Sequence, residues 1–179
     1  KIVDDLSYFT DKVIYLPKKE IVTYDYVAES KDLPYQRIEA LNKIHEMKTG
    51  IVVTTAEAAI QKMISSKTLY KNTLKFKIGD EYKLEDVKQK LIDLGYVRYD
   101  LIDGRGQFSV RGGIVDISIT DKKGIRIEFW GDEVDSIRYF NIVSQRSTEN
   151  TDTATIFPAH EYLLETDIAT VINKIENTI

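Results

Sequence analysis

The chain has 179 residues, 42% apolar and 30% charged, the balance of a soluble globular protein long enough to bury a core. No run approaches the roughly 18 apolar residues of a membrane span, and the absence of cysteine excludes disulfide and thiolate chemistry, which fits a cytoplasmic protein. The net charge of −4 is unevenly spread: Lys67 to Arg146 holds 15 Lys+Arg against 13 Asp+Glu and the rest 10 against 16, so neither part has a nucleic-acid footprint.

The chain opens "KIVDDLSYFT", with neither an initiator Met nor a signal-peptide pattern, and reads as a piece of a longer protein. "KVIYLP" (Lys12–Pro17) is a short apolar run closed by proline, suited to a buried strand. "LPYQRIEALNKIHEMKTG" places Ile38, Leu41, Ile44 and His45 at near-helical spacing, with Gly50 as the stop. "IVVTT" (Ile51–Thr55) is a second β-branched run. "TAEAAIQKMI" follows as a helix that Thr54 or Thr55 could cap. Strand, helix, strand, helix with unbroken apolar strands predicts a parallel sheet.

After a link at "SSK" (Ser65–Lys67) the pattern changes. "NTLKFKIGD" alternates Leu74, Phe76 and Ile78 with lysines, as a half-exposed strand does. "LEDVKQKLIDLG" puts Leu84, Val87, Leu91 and Leu94 on one helical face, with Glu85 and Asp86 early and Gly95 at the stop. Three β-like pieces follow: "YVRYDLI", "GQFSVRGGIVDISI" and "IRIEFW", the last two joined by a turn at "TDKKG". In the middle piece the apolar phase slips between Val110 and Val115, which predicts a glycine bulge at Gly112–Gly113. "TATIFPAHEY" (Thr153–Tyr162) reads as a buried strand and "ETDIATVINKIENTI" as a helix. The expected architecture is an α/β layer over 1–66, an inserted antiparallel α+β unit over 67–147, and a return to the α/β layer over 148–179.

Catalytic chemistry is missing from this pattern. No G-x-x-x-x-G-K-[ST] phosphate loop is present, and "DGRGQ" lacks the third glycine and the helix of a dinucleotide fingerprint, so it reads as a turn. His45 and His160 lie far apart with no cysteine to complete a metal set. His45 reads as a helix-surface residue, and His160 as structural, beside Glu161. Asp132, Glu133 and Asp135 lack calcium-loop spacing and read as a solvated turn. The expectation is no catalytic residue, no cofactor site and no metal site.

What remains is the stretch "GIRIEFWGDEV". Its alternation turns Ile125, Ile127 and Phe129 inward, and Arg126, Glu128 and Trp130 outward. Arg111 projects opposite to Phe108 and Val110 and joins them on the outer face. Trp and Arg dominate interface hot spots, where truncation commonly costs roughly 2 kcal/mol or more. Two readings of Trp130 stand side by side: an interface anchor, or a side chain that packs on a helix or on the α/β layer or covers the Arg126 stem.

The motifs "GQFSVRGGIVDI", "RIEFWGDEVDSIRYF" with "SQRS" after it, and "PAHEY", in that order, resemble the N-terminal UvrB-homology module of the bacterial transcription-repair coupling factors. "DLPYQRIEALNKI" and "IVVTTAEAAIQKM" fit the same module upstream. UvrB itself is similar, but its first domain carries a long DNA-clamping hairpin for which the link Tyr24–Pro34 leaves no room. The resemblance implies a degenerate, incomplete RecA-like α/β layer without nucleotide binding (UvrB-like domains 1a and 1b), interrupted by a UvrA-binding domain 2. It implies a non-catalytic adaptor whose parent is an ATP- and Mg-dependent DNA translocase. That parent displaces stalled RNA polymerase, binds polymerase and DNA elsewhere, and masks the UvrA surface with a C-terminal domain. The family's UvrA-binding positions fall on Arg111, Arg126 and Trp130. Trp130 stands where the family usually has Phe, and Ser118-Ile119 where many members have Phe-Pro. A nucleotide-binding enzyme domain with its phosphate loop upstream of Lys1 and a DNA-binding module are the rivals from other classes.

Overall fold

A computed structural model of the chain describes residues 1–20 and 32–161. Most of the link Tyr24–Pro34 and the helix expected near the C-terminus lie outside the described residues. The first part contains α1 (Ile2–Ser7), β1 (Val13–Leu16), α2 (Leu33–Glu46), β2 (Ile51–Thr54), α3 (Ala56–Ile60) and α4 (Ser66–Lys71). β1 and β2 pair in parallel, Val13 beside Ile51 through Leu16 beside Thr54. Leu16, Ala40 and Leu41 form a small core between β1 and α2. Thr55 caps α3 by accepting from the Ala58 N–H, but that helix is far shorter than the sequence suggests. The "SSK" link is the start of a helix instead: the Ser65 hydroxyl accepts from the Thr68 N–H at 3.1 Å and caps α4.

The second part contains β3 (Leu74–Lys77), α5 (Leu84–Asp93), β4 (Val97–Arg98), β5 (Gln107–Arg111), β6 (Ile114–Ser118), β7 (Lys123–Trp130), β8 (Glu133–Asn141), β9 (Ser147–Asn150) and β10 (Thr153–Ile156). β4 to β9 form one six-stranded sheet in sequence order, antiparallel except for the β4–β5 pair. One face is dry. Phe108, Val115, Ile117, Ile125, Ile127 and Ile137 are buried against Val87 and Leu91 of α5 and against Phe76 of β3. The alternation along β7 puts every second side chain into this core, as a half-wet strand requires.

Two further expectations are corrected in this part. Gly112–Gly113 is a hairpin turn, not a bulge: Arg111 pairs with Ile114 and Phe108 with Ile117 across it. A two-residue glycine loop has the backbone twist that joins antiparallel strands, and Gly112 takes the positive φ of 60° that such turns demand. The apolar phase slips because the chain reverses. The second concerns the start of 148–179, a span expected to rejoin the α/β layer, of which residues 162–179 lie outside the described residues. β9 extends the six-stranded sheet, and β10 pairs antiparallel with β3, Thr153 beside Lys77. Ala154, Ile156 and Ala159 thereby enter the core of the sheet.

A buried ionic cluster ties the two parts together. Arg37 of α2, fully buried, pairs through Nε with Glu161 beyond β10 and donates from Nη1 to the carbonyl of Pro17 after β1. Glu161 also takes Lys19 Nζ at 3.2 Å. Gly112 supplies a direct check on the hairpin. Gly112→Val should lower stability by about 1–2 kcal/mol in urea unfolding, the cost of left-handed backbone for a side chain with a branched Cβ, whereas Gly112→Asn should lose much less.

Candidate interaction face

The other face of the sheet carries polar and charged side chains in register. Across neighbouring strands one row runs Ser109, Asp116, Arg126, Arg138, Asn150, and the adjacent row runs Arg111, Ile114, Glu128, Ser136. Two arginines, 126 and 138, therefore stand directly opposite each other, which is unfavourable unless acids neutralise them. Both are neutralised. Glu128 pairs with Arg138 and accepts from the Ser136 hydroxyl at 2.9 Å.

Arg126 is held by Asp116. Its Nε donates to Oδ1 at 2.6 Å and its Nη2 to Oδ2 at 2.8 Å, a bidentate pair. The same Oδ2 accepts from Arg111 Nη2 at 2.6 Å. The Asp116 side chain is 1% exposed, so the carboxylate sits beneath the two guanidiniums that neutralise it. The guanidinium carbon of Arg126 lies over the Phe140 ring, 4.8 Å from its centre. Phe140 reaches this position across Gly124, where any Cβ would lie 2.5 Å from the ring. The Asp116 hydrogen bonds hold the Arg126 guanidinium above its ordinary pKa, while partial burial pulls the other way.

All three residues singled out in the sequence lie on this face, with different environments. Trp130 ends β7 beside the Gly131–Asp132 turn and is 85% exposed. It covers neither the α/β layer nor the Arg126 stem to any extent that would hide it from water. Arg111 is half exposed, at 46% of its side chain. Arg126, expected to be exposed, is only 16% exposed because Asp116 and Phe140 enclose it. Asp116 itself escaped the sequence reading: an acid at an outward position of "GIVDISI" looks like ordinary solvated charge. Strand pairing reveals it: the Gly112–Gly113 turn brings Asp116 beside the strand of Arg111, and the turn between β6 and β7 sets it directly opposite Arg126.

Residues 74–162 match the family described as the UvrB interaction domain. They belong to that family. The match spans the six-stranded sheet, α5 and the β3–β10 pair, so the arginine–tryptophan face is part of the UvrB interaction domain. Over most of its length the chain is also similar to proteins named transcription-repair-coupling factor. It is 33% identical over 168 residues to that of Bacillus subtilis, covering 92% of this chain and 14% of the relative. The match to the Mycobacterium tuberculosis protein is 33% over 170 residues, 89% of this chain and 14% of the relative. The Staphylococcus aureus (strain USA300) protein is 29% identical over 171 residues, 94% of this chain and 15% of the relative. The chain thus spans a small part of the length of the relatives it matches. No helix among the described residues is long and apolar enough to cross a membrane.

The three side chains should differ sharply in what they give to stability. Arg126→Ala leaves a buried carboxylate with one partner and should cost about 2 kcal/mol, below the 3–5 kcal/mol of a fully buried pair because Arg126 keeps some contact with water. Arg111→Ala should cost less than about 1 kcal/mol, and Trp130→Ala within about 0.5 kcal/mol. Urea unfolding of the three variants gives the order directly.

Proposed function

We propose that the outer face of the UvrB interaction domain docks UvrA, and that the chain is the UvrA-recruiting adaptor piece of a transcription-repair coupling factor. The observation that carries this reading is the side chain of Trp130, left 85% exposed at the end of the face that also holds Arg111 and Arg126. An indole in water on the same face as two guanidiniums has the composition of an interface, an aromatic anchor with charge-assisted donors on one surface. Among the described residues, Arg111 donates only through Nη2 and Arg126 leaves Nη1 unused, so both retain donors for a partner's carboxylates.

On this reading the module is not itself an enzyme, and it is a degenerate RecA-like layer that carries the interaction domain. ATP hydrolysis, translocation on DNA and contact with RNA polymerase belong to other parts of the parent. Masking by a C-terminal domain would have to cover the Arg111–Trp130 face. The similarity to transcription-repair-coupling factors along most of the chain supports this assignment.

Calorimetric titration of UvrA into the 179-residue chain, beside an Arg126→Glu/Trp130→Ala double variant with unchanged circular dichroism, tests it. Micromolar or tighter binding by the parent chain and at least a hundredfold loss in the variant is the expected result, from an anchor worth roughly 2 kcal/mol and a reversed charge. Equal binding by both proteins would move the interface off this face.

A further inference from the structure

Arg111 and Arg126 belong to different hairpin strands, yet both end on one carboxyl group. Asp116 Oδ2 accepts from Arg111 Nη2 at 2.6 Å and from Arg126 Nη2 at 2.8 Å, while Oδ1 takes Arg126 Nε at 2.6 Å. We infer that Asp116 is the positioning residue of this face: its buried carboxylate orients both guanidiniums before the partner arrives. This rests on the reading of the face as a UvrA dock.

Two effects of Asp116 oppose each other. Its negative charge cancels part of the positive potential that would attract an acidic partner. Its hydrogen bonds remove the rotamer freedom that both long side chains would otherwise lose on binding. The geometry decides between them. Charge attraction at a surface is screened by salt within about 10 Å, whereas orientation acts at contact and is not screened. Arg126 is also pinned from a second side, by the Phe140 ring 4.8 Å from its guanidinium carbon. A guanidinium held by Nε and Nη2 to one carboxylate, with its carbon seated over a ring, presents its remaining nitrogen in a restricted direction. The buried acid therefore favours binding through order more than it opposes binding through charge.

Asp116→Asn separates the two effects, because they predict opposite signs. The amide keeps one acceptor but turns an NH2 group toward one guanidinium, so the shared anchor is lost while the face becomes more positive. The experiment titrates UvrA into the 179-residue chain and its Asp116→Asn, Arg126→Ala and doubly substituted forms, at low and at physiological salt. Expected is about tenfold weaker binding for Asp116→Asn at both salts, the order of releasing one or two long side chains. The double variant should lose clearly less than about tenfold relative to Arg126→Ala, since the Arg126 share of the effect is already gone and only Arg111 is left to be released. In nitrogen-detected spectra of the free chain, the Arg126 Nε–H should exchange slowly with water and lose that protection in Asp116→Asn, which a general loss of stability without loss of the pair does not produce.

Unchanged or tighter binding by Asp116→Asn would overturn the positioning role and leave the dock standing, as would strict additivity in the double variant. Failure of the unsubstituted chain to bind UvrA would overturn the dock, and this inference with it. Should Asp116→Asn not fold, Arg126→Lys replaces it. Lysine keeps the charge and loses the bidentate edge, so the same weakening is expected, and full affinity would overturn the proposal.

Discussion

A carboxylate that folding removes from water must be neutralised where it stands, or it will be protonated or expelled. Asp116 meets that requirement with three charge-assisted hydrogen bonds from two arginines. The consequence spreads along the outer face. Arg126 cannot swing into solvent without stranding the acid, and Phe140 can lie beneath it only because Gly124 has no side chain. Arg138, directly opposite Arg126, needs its own acid and finds it diagonally in Glu128. One buried charge on β6 thus fixes an arginine on each side of it, so that β5 and β7, which do not pair with each other, share a single electrostatic centre.

The second buried charge pair does comparable work between the interaction domain and the first part of the chain. Arg37 and Glu161 are both out of water, and around them gather the end of β1, the loop before α4 through the Ile64 N–H, and Lys19. These segments are far apart in sequence. A buried pair of this kind adds little net stability compared with apolar side chains of the same volume, but it tolerates few alternative arrangements. It therefore specifies where the chain enters and leaves the interaction domain, a junction at which the apolar cores are separate clusters.

Local pattern and tertiary placement were unequally legible in the sequence. β7 was readable because its alternation is unbroken from Ile125 to Trp130, and that alone located the exposed indole. α5 was readable from four leucine and valine positions on one face. β8, the longest strand, was not, because an extra residue at Asp135 separates the inward-facing Val134 and Ile137 by three positions, a spacing that imitates a helix. The Gly112–Gly113 reversal was misread for a related reason: a two-residue turn and a one-residue bulge shift the apolar phase alike, and only strand pairing separates them. Asp116 and Glu161 stayed hidden because burial of an acid depends on partners distant in sequence. Arg37 lies more than a hundred positions from Glu161, and no periodicity connects them.

On the docking reading, the magnitudes divide the labour between the aromatic and the arginines. A fully covered tryptophan removes 150–250 Å² from water, about 4–6 kcal/mol as an upper bound. A half-exposed arginine such as Arg111 offers about 1 kcal/mol or less in its ion pairs. Affinity then comes chiefly from Trp130, and the arginines contribute direction and selectivity by leaving unpaired any partner surface that lacks acids in the right places. That division also explains why the arginines are already tied down and the indole is not. A hydrogen-bonding group placed wrongly costs a partner its own hydrogen bonds, so its geometry has to be set in advance. An aromatic side chain with two rotatable bonds loses little freedom on docking and can settle into whatever apolar recess it meets.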